Sequence, residues 1–417
     1  MSLFGGVITI SGVSFLMFSV LIIAVLGYAL GRITIKGISL GTAGAFIVAL
    51  VYGIIFSDKI SSAVTQKLTD GTVVDISSNA LKIVETVGLI FFVTAVGFIA
   101  GPTFFKDLKK NFKSYILLGL VIIVSGGLTC VACYFIGKGA EANPKEFVAM
   151  LAGLLSGALT STPAFSAAKA TVDPAFEAAV TVGYGIAYLF GVVGVVLFVQ
   201  LIPKITRADM DAERAKLVVA ETSKKTEYKG KLFDMDSFGI MAFALAAVVG
   251  IFVGAIKIPL SGQGLSGTTF SLTTTGGALI TALVFGHFGH IGPVSLKVEK
   301  RVLEVFRELG LLLFLIGAGI AGGTKFVQYF QPIYFVYGVV LTIVPMIIGY
   351  IFAVYVLKFS LFNALGSITG GMTSTPALGT LINVSKCDNI ASAYAATYPI
   401  ALISVVLVTQ LIIILLL

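Results

Sequence analysis

Two short stretches of sequence decide the fold, because they repeat each other and interrupt a helix in the same way. They read Gly157-Ala158-Leu159-Thr160-Ser161-Thr162-Pro163-Ala164-Phe165 and Gly370-Gly371-Met372-Thr373-Ser374-Thr375-Pro376-Ala377-Leu378. Proline ends a helix at the residue before it, and hydroxyl side chains cap the start of a new helix. Each stretch therefore predicts a helix, a break and a second helix.

The composition of the surrounding chain is typical of a membrane protein. Hydrophobic residues make up 57% of the 417 residues, charged residues make up 12%, and the mean hydropathy is +1.05. A soluble protein carries about a quarter charged residues, and a membrane-spanning helix needs about 20 apolar residues. The composition excludes a soluble enzyme, a nucleic-acid-binding protein and a secreted disulfide-rich domain.

Apolar runs predict ten membrane-spanning helices, five in each half of an all-α polytopic protein. They lie near residues 12–30, 38–56, 86–101, 114–136, 178–202, 238–256, 271–287, 308–323, 333–357 and 391–416. The two broken stretches belong to further apolar segments at about 146–172 and 362–384. The sequence therefore predicts an amino-terminal membrane repeat over residues 1–203, a polar cytoplasmic linker over 204–235, and a carboxy-terminal repeat over 236–417.

Each broken segment fits two topologies, a helix that crosses the bilayer or a re-entrant hairpin. With two hairpins and both chain termini outside, 20 of the 28 lysines and arginines, including all five arginines, face the cytoplasm. Basic residues concentrate on that side of bacterial inner-membrane proteins. The charges favour hairpins, and five crossings per half then place the second half upside down, as an inverted-topology repeat.

The duplication is visible in the residues themselves. Thr160 to Ala164 match Thr373 to Ala377 at an offset of 213. Downstream, Tyr184, Tyr188 and Gln200 match Tyr394, Tyr398 and Gln410 at a common offset of 210. Offsets that change only between segments are typical of duplicated units with loops of different length.

The two breaks predict a binding site for a small carboxylate. Unpaired backbone groups inside a bilayer cost several kcal/mol each, so a break persists where protein or a ligand satisfies those groups. If the tips meet near the midplane, the helices that begin after the breaks direct N–H groups and positive dipole ends into one volume. The predicted substrate-binding residues are Thr160, Ser161, Thr162, Pro163, Thr373, Ser374, Thr375 and Pro376.

Several further residues are weaker candidates for the same site. Lys169 follows the first break and could equally extend its ammonium group to the outer face. No cofactor is predicted, no coupling ion is identified, and no metal site is predicted, because His287 and His290 have no third ligand nearby. The full set of further candidates is Gly157, Gly371, Tyr188, Tyr398, Lys169, Gln200 and Gln410.

Stretches throughout both halves resemble the aspartate:alanine exchanger family of bacterial secondary transporters. Both Thr-Ser-Thr-Pro-Ala tips belong to the resemblance, and Tyr188-Leu189 departs from the Tyr-Pro that the family often shows and that Tyr398-Pro399 retains. The other stretches are Leu26-Gly27-Tyr28-Ala29-Leu30-Gly31-Arg32-Ile33, Ile35-Lys36-Gly37-Ile38-Ser39-Leu40-Gly41, Gly88-Leu89-Ile90-Phe91-Phe92, Gly101-Pro102-Thr103-Phe104-Phe105, Tyr188-Leu189-Phe190-Gly191-Val192-Val193-Gly194 and Gly286-His287-Phe288-Gly289-His290-Ile291-Gly292-Pro293.

The resemblance implies an inner-membrane antiporter that exchanges amino acids such as aspartate against alanine, with no enzymatic activity. It also implies an elevator-type mechanism, a homodimer in the lipid bilayer, and no nucleic-acid partner. Many family members carry cytoplasmic regulatory domains between the halves, where this chain has its linker over residues 204–235. An alternative left open is a symporter or exporter of dicarboxylates or other organic acids that is coupled to Na⁺ or H⁺.

Overall fold

The computed structural model is mostly helical. It describes residues 2–3, 8–35, 38–39, 43–67, 73–110, 112–139, 141, 143–216, 232–234, 236–259, 269–324, 326–387 and 390–416. Within these ranges the helices are α1 (Gly12–Arg32), α2 (Ala43–Ala63), α3 (Ser77–Lys110), α4 (Phe112–Gly137), α5 (Pro144–Ala158), α6 (Thr162–Thr171), α7 (Glu177–Ile205), α8 (Met210–Ala215), α9 (Ile240–Ala255), α10 (Thr273–Phe288), α11 (Lys300–Gly323), α12 (Phe326–Tyr329), α13 (Ile333–Ile351), α14 (Leu361–Gly371), α15 (Thr375–Ser385) and α16 (Ile390–Leu416). A 3-10 turn over Pro174–Phe176 precedes α7, and a π-helical turn over Phe352–Val356 continues α13.

Short strands connect several of the helices as two-stranded antiparallel pairs. The pairs are β1 (Ser2–Leu3) with β2 (Ile8–Thr9), β3 (Thr34–Ile35) with β4 (Ile38–Ser39), β5 (Thr65–Lys67) with β6 (Val73–Asp75), β7 (Ile258–Pro259) with β8 (Thr269–Phe270), and β9 (His290–Ile291) with β10 (Val294–Ser295). Asp75 accepts a hydrogen bond from the Ser77 backbone N–H at 2.8 Å, which lowers the pKa of this carboxyl group. That bond satisfies a free donor at the start of α3.

The protein is a helical, multi-pass membrane protein. In the described ranges eight helices are long and apolar enough to cross a bilayer, namely α1, α2, α3, α4, α7, α11, α13 and α16. The other two predicted spans are helices of 16 residues, α9 and α10. At 1.5 Å per residue each measures about 24 Å, somewhat less than the hydrocarbon thickness of about 30 Å.

The predicted starts of two spans were wrong. Helix α3 begins at Ser77 instead of residue 86, and α11 begins at Lys300 instead of residue 308. Apolar patterning detects only the lipid-facing part of a helix. Polar residues such as Lys82, Glu85 and Glu304 extend each helix beyond that part.

Contacts divide the chain into two compact units. Unit 1 comprises Met1–Phe92 and Glu308–Gln331, and unit 2 comprises Val93–Arg307 and Pro332–Leu417. The core of unit 1 is a cluster of buried side chains from α1, α2, α3 and α11 that includes Leu16, Ile23, Ala49, Leu81 and Ile316. Both broken segments belong to unit 2. The units are built from parts of both sequence halves, and the predicted repeat boundaries remain a prediction.

Within unit 1, helices α3 and α11 pack through a pair of glycines. A Cβ atom on Gly88 would lie 2.6 Å from the Gly310 carbonyl oxygen, and one on Gly310 would lie 2.6 Å from the Gly88 carbonyl oxygen. Each of these positions also faces the backbone N–H of the other helix, at Phe314 and Phe92 respectively. Gly88 and Phe92 match Gly310 and Phe314 at an offset of 222, so the contact is reciprocal between equivalent positions.

A glycine also faces an alanine between neighbouring helices in each unit. In unit 1, Gly27 on α1 faces Ala45 on α2, and in unit 2, Gly250 on α9 faces Ala278 on α10. Small residues let membrane helices approach closely enough for backbone packing. The helix pairs α1–α2 and α9–α10 therefore pack through the same kind of glycine–alanine contact.

We expect Gly88→Ala and Gly310→Ala each to destabilise the protein by about 1–3 kcal/mol, because the added methyl group overlaps the backbone of the neighbouring helix. The measurement is the melting temperature of the purified protein in detergent. Gly139→Ala is the matched control, because a Cβ atom there meets nothing within 4 Å. Equal melting temperatures for Gly88→Ala and Gly139→Ala would contradict the packing role.

Candidate functional site

Both predicted helix breaks are confirmed. The first hairpin consists of α5, a tip over residues 159–161, and α6, and the second hairpin consists of α14, a tip over residues 372–374, and α15. The proline of each motif is at the second position of its helix, where the missing N–H leaves no hydrogen bond unmade. Every residue from Phe147 to Lys169 is buried, so the first hairpin is enclosed by protein along nearly its whole length.

The two tips have the same backbone conformation. Thr160 and Thr373 occupy the left-handed region, with φ of 52° and 51°. The next residue donates its N–H back across the tip in both cases, from Ser161 to the Ser156 carbonyl at 2.8 Å and from Ser374 to the Thr369 carbonyl at 3.1 Å. A left-handed conformation costs a β-branched residue about 1–2 kcal/mol. Other interactions must hold both threonines in place.

Those interactions are hydrogen bonds from one tip to the other. The Thr160 hydroxyl donates to the Met372 carbonyl oxygen at 2.8 Å, and the Thr373 hydroxyl donates to the Leu159 carbonyl oxygen at 2.9 Å. Both threonines are buried. The two tips therefore contact each other directly, which is the condition on which the predicted binding site depends. The helices α6 and α15 both begin two residues after these threonines.

The hydroxyl groups after the threonines differ between the tips. Ser161 Oγ accepts a hydrogen bond from the Ala164 N–H at 3.4 Å and so caps α6. Ser374 occupies the equivalent position before α15 but makes no cap bond. Its side chain is fully buried, and its Oγ has no partner among the described residues. Buried hydroxyl groups are rarely left unpaired, because desolvation without a partner costs about 1–3 kcal/mol.

Stacked tyrosines support the tips from α7 and α16. The Tyr184 hydroxyl lies 3.3 Å from the Thr162 hydroxyl, and its ring stacks on Phe165 at 4.1 Å and on Tyr188 at 4.9 Å. Tyr394 and Tyr398 repeat the stack on α16 at 5.0 Å. In the first hairpin, the tyrosine stack therefore contacts a predicted site residue directly.

The candidate glycines have packing roles. A Cβ atom on Gly157 would lie 2.5 Å from the Tyr184 carbonyl oxygen, and one on Gly370 would lie 2.6 Å from the Tyr394 carbonyl oxygen. A Cβ atom on Gly371 would meet the Ile122 side chain at 2.5 Å. Gly157 and Gly370 let the first arm of each hairpin lie directly on the tyrosine-bearing helix, whereas Gly371 lets α14 approach α4.

The two arms of each hairpin pack on helices from different halves of the sequence. The first arms pack within their own half, α5 on α7 and α14 on α16. The second arms pack on the other half, α6 on α16 and α15 on α7. Each tip is therefore held by helices from both halves of the sequence.

Two polar candidates lie at the base of the first hairpin instead of at its tip. Lys169 is in the last turn of α6, buried, with its Nζ 3.9 Å from Glu177 Oε2 and 5.8 Å from the Phe165 ring centre. Gln410 Nε2 donates to Thr171 Oγ1 at 3.3 Å and to the Ser271 carbonyl at 3.0 Å. The structure therefore places Gln410 where it anchors the end of α6.

The remaining candidates are Gln200, Thr375 and Pro376. Gln200, the equivalent of Gln410, is half-buried in α7. Thr375 and Pro376 begin α15, and the structure describes their backbone but not their side chains. Sequence reasoning missed the carbonyl groups of Leu159 and Met372, because a backbone acceptor carries no signal in residue type.

Comparison with known proteins identifies the family. The sequence model of the aspartate–alanine exchanger family, described as a predicted permease membrane region, matches residues 19–204 and 242–414. The chain belongs to the aspartate–alanine exchanger family. The match covers all helices of both hairpins and the membrane-spanning helices that pack on them, and it leaves out residues 205–241.

Several longer proteins that bear the name of transporters are similar to this chain over nearly their whole length. An uncharacterized transporter of Bacteroides fragilis is 26% identical over 556 positions, which cover 95% of this chain and 97% of the relative. An uncharacterized transporter of Bacteroides thetaiotaomicron is 26% identical over 555 positions, which cover 95% of this chain and 97% of the relative. An uncharacterized transporter of Desulfotalea psychrophila is 23% identical over 556 positions, which cover 95% of this chain and 96% of the relative. The chain is a membrane transporter. Since 95% of 417 residues is about 396, about 160 of the 556 positions have no residue of this chain.

We expect Thr160→Val and Thr373→Val each to lower the stability of this exchanger-family protein by about 1–3 kcal/mol. Valine keeps the branched shape but leaves a buried carbonyl of the other tip without its donor. Melting temperatures in detergent test this. Thr86→Val is the control, because the Thr86 hydroxyl is exposed and bonds only within α3. A loss no larger than that of the control would argue against the tip contact.

Proposed function

We propose that the protein is an antiporter that exchanges small carboxylates, with aspartate against alanine as the first pair to test. The tips of the two hairpins form the proposed binding site. Its proposed residues are Thr160, Ser161, Thr162, Pro163, Thr373, Ser374, Thr375 and Pro376. The family membership supports transport, and the tip geometry supports the choice of a carboxylate.

One observation carries the proposal: two buried helix amino termini begin beside a single tip-to-tip contact. The first N–H groups of a helix lack partners within the helix, and the helix dipole favours negative charge there. At α6 the Ser161 hydroxyl already satisfies one N–H group. At α15 neither Ser374 nor another described side chain caps the helix. A substrate carboxylate at α15 would accept hydrogen bonds from free N–H groups and from the Ser374 hydroxyl.

The Ser374 hydroxyl also supplies a reason for exchange. Without substrate, a buried hydroxyl and uncapped N–H groups at the same place remain unpaired, and each costs free energy in a low-dielectric interior. Water can pair these groups while the site is open to one side of the membrane, but not in the closed intermediate between the two open states. A bound carboxylate pairs them in that intermediate as well. A loaded carrier therefore changes conformation at lower cost than an empty one, and that difference produces obligatory exchange.

Both tips belong to unit 2, so unit 2 can carry a bound substrate as one body. We therefore propose an elevator-type movement of this unit for alternating access. The inverted arrangement of the two halves, the bacterial inner membrane, the external chain termini and a homodimer complete the proposal. They derive from the charge distribution and from the family resemblance.

Transport into liposomes tests exchange. We expect labelled L-aspartate to enter vesicles that contain reconstituted protein and lumenal alanine or aspartate, and to enter empty vesicles at least about ten-fold more slowly. Entry into empty vesicles that is driven by a Na⁺ or H⁺ gradient would overturn exchange in favour of a coupled symporter. Protein-free vesicles are the control for leakage.

Ser374→Ala and Ser161→Ala separate substrate binding from helix capping. We expect Ser374→Ala to raise the KM for aspartate about ten-fold with little change in melting temperature, because only substrate uses this hydroxyl. Ser161→Ala removes a helix cap, so we expect it to lower stability by about 1 kcal/mol. If Ser374→Ala has the same KM as the unmodified protein, the carboxylate is not held by Ser374.

A further inference from the structure

The helix α8 lies in the linker and is tied closely to the membrane helix before it. A hydrogen-bonded turn joins the two, with Ala208 N–H donating to the Pro203 carbonyl at 3.1 Å and the Thr206 hydroxyl donating to the Ile202 carbonyl at 2.8 Å. Asp209 caps α8 by accepting from the N–H groups of Asp211 and Ala212. Its position is therefore fixed relative to α7.

From this position α8 contacts the base of the second hairpin, at the start of α14 and at the end of α15. Glu213 Oε2 accepts from the Leu361 N–H at 2.8 Å, at the first residue of α14. Arg214 Nε donates to the Ser385 carbonyl at 2.5 Å, at the last residue of α15. A carboxylate at a helix amino terminus and a guanidinium at a carboxy terminus are each the favourable charge for that end. Glu213 and Arg214, which are consecutive in sequence, therefore each form a hydrogen bond with one arm of the second hairpin.

The second hairpin has few substitutes for these contacts. Ser360 precedes α14 but makes no cap bond, and its Oγ is buried without a partner among the described residues. The first hairpin differs, because Asn143 caps α5 from within its own segment, accepting from the N–H groups of Lys145 and Glu146. Only the second hairpin, of the two, takes its cap from the linker.

An apolar contact reinforces the charged ones. Ala208 and Met210 pack against a buried cluster that both arms share with α7 and α16. The cluster consists of Val199, Leu361, Phe362, Leu365, Leu381 and Ile390. Residues 205–241, which include α8, lie outside the match to the family.

We propose that α8 is a clasp that fixes the spacing of the two arms of the second hairpin, and that Glu213 and Arg214 are positioning residues for its tip. Helix α14 has 11 residues and is about 16 Å long, so it transmits the position of Leu361 to the tip at Thr373 and Ser374. The consequence for substrate affinity rests on the proposed function. The structural role of α8 as a clasp does not depend on the proposed function.

Amide hydrogen exchange tests the clasp without any transport. In Glu213→Ala we expect peptides over residues 361–366 and over the tip to exchange about ten-fold faster than in the unmodified protein. Glu213→Gln should stay close to the unmodified protein, because its amide oxygen still accepts from Leu361. Lys216→Ala is the control, since Lys216 pairs with Glu213 from the exposed side and touches neither arm in the described residues.

Two results of this experiment would overturn the clasp. One is unchanged exchange at α14 in both Glu213→Ala and Arg214→Ala. The other is the same acceleration in Lys216→Ala, which would indicate general loosening of the linker. If Glu213→Ala does not fold, Arg214→Ala and Arg214→Lys decide, with faster exchange at the end of α15 expected in the first and partial recovery in the second.

Transport kinetics test the positioning role. With labelled L-aspartate and alanine-loaded vesicles, we expect Glu213→Ala and Arg214→Ala to raise KM several-fold with little change in the maximal rate. Faster amide exchange with an unchanged KM would overturn the positioning role. If the unmodified protein does not transport aspartate, the proposed substrate fails, and amide exchange still decides whether α8 is a clasp.

Discussion

The protein depends on a constraint that bilayers impose on every chain that enters them: backbone polar groups need partners inside the protein. Two interrupted helices lie deep in an apolar unit, and each interruption frees carbonyl and N–H groups. The tips solve part of this problem for each other, since Thr160 donates to the Met372 carbonyl and Thr373 donates to the Leu159 carbonyl. The same bonds hold both threonines in a left-handed conformation that they would not adopt alone. The rest of unit 2 supports this contact through stacked tyrosines and closely packed glycines.

Most of the helical architecture was predictable, because membrane helices are encoded by long apolar runs and helix breaks by proline after hydroxyl residues. The starts of α3 and α11 were not, since Glu85 and Glu304 continue their helices with no apolar signal. At the site, the motif around Thr160 and Thr373 identified the two tips, but it left their contact as a condition of the predicted site. It could not distinguish Ser161 from Ser374, because identical residues at equivalent positions differ only in their neighbours.

Long-range contacts set the limit of prediction for the other polar residues. Gln410 repeats Gln200 at the offset of the tyrosines, which suggested a role near the substrate. Its partners are Thr171 and Ser271, which are 239 and 139 residues away in sequence. Similarly, the linker gave a pattern of mixed charges, and nothing in that pattern indicates that Glu213 reaches Leu361. Contacts of this kind depend on the packing of several helices, which residue spacing does not specify.

The reciprocal contact of Gly88 and Gly310 has a consequence for how such a chain could arise. Equivalent positions that face each other lie on a local two-fold axis. In an ancestor made of two identical half-length chains, the residue at that axis would touch its own copy. A single substitution there would then have acted on both sides of the contact at once, so only glycine could persist. After fusion, each position can change separately, yet each still faces the backbone of the other.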